Sequence, residues 1–159
     1  MAIKVGDRIP DVELRTMGPD GPQPVRTGDV LGTGTVVLFA VPGAFTPGCS
    51  KIHLPGYVEH ADELRAKGVD TIACVAVNDA WVMQAWADAQ GASGITMLAD
   101  GNGDFARAMG LELDGSGFGL GLRSQRYAAV LKDGVVTSLD VETGAGVDVS
   151  ACSAVLAKL

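Results

Sequence analysis

Two unbroken apolar runs constrain this chain more than any other feature. Residues 36–41 read Val-Val-Leu-Phe-Ala-Val and residues 71–77 read Thr-Ile-Ala-Cys-Val-Ala-Val, with a helical pattern between them. Gly34 and Pro42 bound the first run and Asn78-Asp79 closes the second, as expected of strands covered on both faces. Two such strands joined through a helix pair in parallel by a right-handed crossover, so an α/β sheet with helices on its faces is expected.

The intervening pattern predicts a helix over 50–67. Leu54, Val58, Ala61 and Leu64 form one stripe, Lys51, Glu59, Asp62 and Arg65 lie outside it, and Gly68 is the stop. Pro55 inside that pattern removes a backbone hydrogen bond and predicts a kink. Asp79 is placed to cap a helix over 80–90. A short strand over 95–98 and a helix over 103–109, with Phe105 and Met109 inward, come next. Strands 126–131 and 135–141 make a hairpin around Lys132-Asp133-Gly134. A last helix at about 150–158 takes Ser150 as its cap. Upstream, Val12 and Leu14 suggest a short edge strand, and Gly18-Pro19-Asp20-Gly21-Pro22 a mobile loop. Residues 115–121 hold four glycines and are expected to be irregular. The order βαβαβ-α-ββ-α describes one domain over 1–159, a mixed central sheet flanked by helices.

Composition agrees. A chain of 159 residues that is 47% hydrophobic can bury one sizeable core, and with 5% aromatics that core must be aliphatic. A net charge of −7 without clustered Lys and Arg argues against nucleic-acid binding. No apolar run approaches a membrane span and the N-terminus lacks a signal pattern. Three cysteines, an odd number without close spacing, fit a reducing compartment, and the cytoplasm is the expected location.

Chemistry is expected at residues 41–50, Val-Pro-Gly-Ala-Phe-Thr-Pro-Gly-Cys-Ser, where strand gives way to helix and Cys49 meets a helix N-terminus. Unpaired amides and the positive end of the macrodipole favour an anion there, and the thiolate is the nucleophile. A free thiol with a pKa near ~8.5 needs a shift of roughly 2 to 3 units, about 3 to 4 kcal/mol, to become mostly thiolate. The dipole supplies only about 0.3 to 1 kcal/mol. A cation from elsewhere in the chain must assist. Cys74, in the middle of an apolar run, reads as core. Cys152 shares helical spacing with Val149, Leu156 and Leu159, which turns it inward. His53 lies one helical turn from Cys49, but no further Cys/His cluster completes a metal site. A hydrogen-bonded His53 near the kink and an exposed His60 are expected instead. The glycines of 115–121 lack the strand-to-helix setting and the Lys of a phosphate cradle, so they read as a loop beside the site.

The motif Pro42-x-x-x-Thr46-x-x-Cys49, with its flanks Phe39-Ala40-Val41 and Ser50-Lys51, resembles the peroxidatic motif of the peroxiredoxins, specifically the type-five (atypical) subfamily. His53-Leu54-Pro55-Gly56-Tyr57, Val77-Asn78-Asp79-Ala80-Trp81-Val82 and Arg123-Ser124-Gln125-Arg126-Tyr127 resemble further segments of that subfamily, in order along nearly the whole chain. The resemblance implies a thioredoxin-like fold and a peroxidase without metal or organic cofactor. In it, Cys49 attacks a hydroperoxide and becomes a sulfenic acid, which is also the first product when an accessible, low-pKa thiolate meets peroxide. By position, Thr46 would bond the peroxide and the thiolate, Pro42 would shield the site, and Arg126 would be the cation, with Arg123 the second choice. Gly48, Arg123, Phe45 and Leu120 are the expected substrate contacts. Phe118, Leu120 and Leu122 would give the glycine-rich loop an apolar wall, or pack across a dimer interface with Phe45 and Trp81.

Some type-five members resolve the sulfenic acid with a C-terminal cysteine that stands where Val149 stands here, three positions before Cys152. That displacement favours a one-cysteine cycle recycled by glutathione or glutaredoxin. The alternative is a two-cysteine cycle through Cys152 with thioredoxin as reductant, and a further alternative is a redox-sensing or holdase binding module.

Overall fold

The computed structural model describes residues 1–159 and contains a seven-stranded mixed sheet in the order β2-β1-β5-β4-β3-β8-β9. At its centre, β3 (Thr35–Ala40), β4 (Thr71–Ala76) and β5 (Thr96–Ala99) run parallel. On one side β8 (Tyr127–Lys132) joins antiparallel to β3, followed by β9 (Val135–Val141). On the other, β1 (Glu13–Gly18) joins β5 and β2 (Gly21–Arg26) forms the outer edge. A separate ribbon pairs β6 (Glu112–Asp114) with β7 (Leu122–Ser124).

The apolar runs fold as their composition dictates. Val36, Val37, Leu38, Phe39 and Ala40 are all fully buried, because both faces of the sheet are covered. Odd positions Val37, Phe39 and Val41 pack with α2 (Leu54–Glu59), α3 (Ala61–Ala66), α4 (Ala80–Gln90) and α6 (Cys152–Leu156). Even positions Val36, Leu38 and Ala40 face a second cluster with α5 (Asp104–Met109), Leu31 after the short α1 (Thr27–Val30), and the N-terminal Ile3 and Ile9. Asp79 Oδ1 accepts from the Val82 N–H at 2.8 Å, the expected cap. The β8–β9 turn at Asp133-Gly134 has φ of +49° and +82°, a conformation that suits Asp-Gly.

Several expectations need correction. The span 50–67 is not one helix: it opens with a π-helical turn, Cys49–His53, in which the Leu54 N–H reaches the Cys49 carbonyl, and it breaks again at His60 between α2 and α3. The widened turn precedes Pro55, whose missing N–H falls in the first turn of α2, where none is needed. His60 is half-buried and paired with Glu63 rather than exposed. Ser150 does not cap the last helix; Ala151 occupies that position, and the Ser150 hydroxyl donates to Glu142. Residues 115–121 contain a 3₁₀ turn, Ser116–Phe118, at the tip of the β6–β7 ribbon.

Gly18 to Pro22 is a two-residue hairpin turn, not a loose loop, and the strand continues through Pro22 and Pro24. In that ladder Gly18 and Gly21 form the closing pair, so alternation turns the nitrogens of Pro22 and Pro24 away from β1. The opposite edge is partly covered: Gly6, Asp7 and Ile9 bond to Gly134 and Val136 at the start of β9.

Candidate active site

The Ser50 N–H donates to the Thr46 carbonyl at 2.9 Å, so the helix begins earlier than its apolar stripe suggests. Pro47 takes the first helical position and Cys49 lies in the first turn, among amides with no intrahelical acceptor. The loop before it is held in a conformation it would not adopt alone. Phe45 has φ of +65°, which costs a residue with a side chain roughly 1 to 2 kcal/mol. Three side chains hold that loop: Asn78 Oδ1 accepts from the Ala44 N–H (2.9 Å), the Thr46 hydroxyl donates to the Gly43 carbonyl (2.6 Å), and Arg123 Nη1 donates to the carbonyls of Pro42 (3.4 Å) and Val77 (3.2 Å). Arg123 therefore clamps the loop and is not the thiol's cation. Its Nε donates to the Leu120 carbonyl, tying the glycine-rich tip to the same loop.

Arg126 arrives from the other side. Along β8, Ala128 and Val130 face the cluster that contains Cys49, while Tyr127, Ala129 and Leu131 face away. Arg126, one step before the strand, keeps the parity of Ala128 and points at the thiol. Its Nη2 donates to Cys49 Sγ at 3.2 Å and its Nη1 donates to His53 Nδ1 at 2.9 Å. Arg126 is 8% exposed and its guanidinium pairs with no carboxylate. Its only side-chain partners are the Cys49 sulfur and the His53 imidazole. Gly48 makes room: a Cβ there would stand 3.2 Å from Arg126 Nη2.

His53 has one possible tautomer in this setting. Arg126 can only donate and the Ser150 carbonyl can only accept, so Nδ1 is bare and Nε2 carries the proton, which it gives to that carbonyl at 3.0 Å. Burial, and then the Arg126 charge, push the imidazole pKa down to about 4. The ring is neutral at physiological pH. Tyr57 Oη donates to the same carbonyl at 2.8 Å and stacks on Phe39. Trp86 Nε1 donates to Ser50 Oγ at 2.9 Å. Tyr57, Glu142, Ser150 and Trp86 were not expected at the site; none belongs to the motif, and only contact in three dimensions reveals them.

Cys49 is fully buried, against the expectation of an accessible thiol, because its turn packs into the Phe39 and Leu54 cluster. Phe45 and Phe118 are exposed and Leu120 half-buried; none bonds the sulfur. Pro42 is half-buried at the head of the loop. Thr46 bonds Gly43 rather than the sulfur. Cys74 is core, and burial pushes its thiol well up. Cys152 is 2% exposed, packs near Gly56 on α2, and its thiol is pushed up to about 12, chiefly by burial. No group of three His, Cys, Asp or Glu side chains gathers as metal ligands, and no helix is long and apolar enough to cross a membrane.

Residues 4–156 match the Redoxin family model. Peroxiredoxin-2E-2, chloroplastic, of Oryza sativa subsp. japonica is 48% identical over 163 residues, covering 99% of this chain and 72% of the relative. The reduced Prx3 of Vibrio vulnificus in complex with H2O2 is 51% identical, covers 98% of both chains and superposes with a TM-score of 0.94. Peroxiredoxin 5 from Alvinella pompejana is 40% identical over 98% of this chain and 96% of its own, with a TM-score of 0.85. Such likeness, sustained from end to end on a thioredoxin-like sheet, makes this chain a member of the peroxiredoxin family of thiol-dependent peroxidases.

Proposed function

We propose that the chain is a type-five peroxiredoxin that reduces hydrogen peroxide and small organic hydroperoxides through Cys49. The observation that carries this reading is the Arg126 guanidinium, 3.2 Å from the buried sulfur of Cys49. The thiolate attacks the terminal oxygen of ROOH, the S–O bond forms as the O–O bond breaks, and RO⁻ leaves to take a proton from water. The sulfur loses two electrons, the peroxide gains them, and the product is the sulfenic acid. Arg126 stabilises the thiolate and, as charge moves to the leaving oxygen, the transition state. Thr46, having donated its proton to Gly43, offers its oxygen as acceptor for the peroxide O–H. Pro42 and the loop clamped by Arg123 wall the sulfur from water, Gly48 admits the guanidinium, and Phe45 and Leu120 supply apolar contacts for organic substituents.

The reducing half of the cycle uses an external thiol and no metal or organic cofactor. A Cys152 thiol pushed up to about 12 is scarcely ionised at neutral pH and attacks slowly. Glutathione, with or without glutaredoxin, therefore condenses with the sulfenic acid, releasing water, and a second thiol regenerates Cys49 with release of the disulfide. A reducing cytoplasm suits three free cysteines. Exposed Phe45, Trp81 and Phe118 supply the apolar surface of a homodimer. Cys49→Ser is expected to abolish peroxide consumption in a glutathione-coupled assay; retained consumption would remove the mechanism. Peptide mass analysis after peroxide and glutathione should find the adduct on Cys49, and a 49 to 152 disulfide would instead select the two-cysteine cycle with thioredoxin.

A further inference from the structure

The environment of Arg126 poses a problem that His53 solves only if something else fixes His53. A carboxylate against the guanidinium would hold it well but would neutralise the charge the sulfur needs. A neutral acceptor holds it and leaves that charge in place. Imidazole can play this part only with Nδ1 bare, and its two neutral tautomers differ little in intrinsic energy, so the hydrogen bond at Nε2 decides. That bond goes to the backbone carbonyl of Ser150, in the segment between β9 and α6.

This segment, with no regular structure of its own, is pinned by one side chain. Glu142 Oε2 accepts from the Ser150 N–H (2.8 Å), the Ser150 hydroxyl (2.6 Å) and the Asp148 N–H (2.8 Å). The Glu142 N–H in turn donates to the Arg126 carbonyl at 2.9 Å, so the clamp is anchored on the residue it serves. Burial raises the Glu142 carboxyl, and the bonds from Ser150 and Asp148 more than reverse this, leaving it lowered and ionised at neutral pH.

We propose that Glu142 and Ser150 are positioning residues for peroxide reduction: the carboxylate fixes the Ser150 carbonyl, the carbonyl fixes the tautomer of His53, and the bare Nδ1 aims Arg126 at Cys49. The inference rests on the peroxidase reading above. Neither residue touches substrate, and each acts through His53.

The test compares wild type with Glu142→Ala, Glu142→Gln and Ser150→Ala as full-length proteins. Stopped-flow Trp fluorescence gives the second-order rate of Cys49 oxidation by H2O2, and ¹⁵N-labelled histidine NMR gives the His53 tautomer without reference to activity. Outer partners that fix the tautomer of a metal-bound histidine are typically worth about 10- to 100-fold; on the same scale Glu142→Ala should slow oxidation by that factor and populate the Nδ1–H tautomer. Glu142→Gln keeps an acceptor oxygen and should restore most of the rate and the Nε2–H signal. Ser150→Ala removes one of three bonds and should fall between. It also carries the test should Glu142→Ala not fold. Wild-type rate and tautomer in Ser150→Ala and Glu142→Ala, or a slowed variant with the tautomer unchanged, would overturn the proposal. A wild type that does not consume H2O2 through Cys49 would overturn the peroxidase reading itself, and the tautomer signal separates the two failures.

Discussion

Gly48→Ala should make this protein more stable and a worse peroxidase. Gly48 has φ −64° and ψ −38°, ordinary helical values, so alanine meets no backbone strain and gains the helix preference of about 0.5 to 1 kcal/mol over glycine. The added Cβ, however, would stand 3.2 Å from Arg126 Nη2, with Arg126 Cζ and Val147 Cγ2 both at 3.9 Å. The guanidinium must retreat by a few tenths of an ångström from a sulfur now at 3.2 Å. At an effective dielectric of about 20, moving opposite charges from ~3.2 to ~3.6 Å costs about 0.6 kcal/mol. Worse hydrogen-bond geometry adds to that, giving roughly a 3- to 10-fold lower rate constant with H2O2. Stopped-flow peroxide kinetics and urea unfolding on the same preparation measure both quantities. A variant as fast as wild type, or one that loses rate and stability together, would refute the account of how Gly48 admits Arg126.

Two further outcomes are expected. Because the His53 pKa is lowered to about 4 from an unfolded value near ~6.5, the unfolded chain binds more protons between those pH values. Stability from this group is therefore present above pH ~6.5 and lost as pH falls toward ~4, by roughly 3 kcal/mol; denaturant titrations at pH 7.5 and 4.5 should show the loss, and His53→Gln should lessen it. Cys74→Ala should keep full peroxide turnover, since its thiol is held protonated in the core, while costing about 1 kcal/mol of stability from lost packing. A collapse in turnover with the fold intact would give Cys74 a chemical part it is not assigned.

What could be read from the sequence was local. Runs 36–41 and 71–77 announced themselves because burial on both faces leaves no polar position, and Asp79 because a cap and its helix are neighbours in the chain. Cys49 is legible where strand gives way to helix, whereas Thr46 and Arg126 are legible only through segments that resemble those of a family, because nothing local ties a cation at 126 to a thiol at 49. The π-helical turn at Cys49 left no trace, since one extra residue in a turn barely disturbs a 3.6-residue stripe. The stretch from Gly18 to Pro22 reads as a loop because whether a strand lies at an edge, where its prolines are tolerated, depends on the whole sheet. The clamp on Ser150 was invisible for a related reason. Glu142 reads as one acid among many, and its effect reaches His53, far away in sequence, through a backbone carbonyl that any residue would supply.

The prolines of β2 bear on how such a chain survives at high concentration. A sheet rich in Val, Ile and Leu offers two rims on which a stranger's strand could register, a common seed of fibrils and amorphous precipitates. On one rim, rings replace the outward donors that an incoming strand would need. On the other, the amino-terminal residues occupy the first half of β9. Trimming those few residues would uncover a docking rail, so an intact leading segment protects solubility as much as it completes the core.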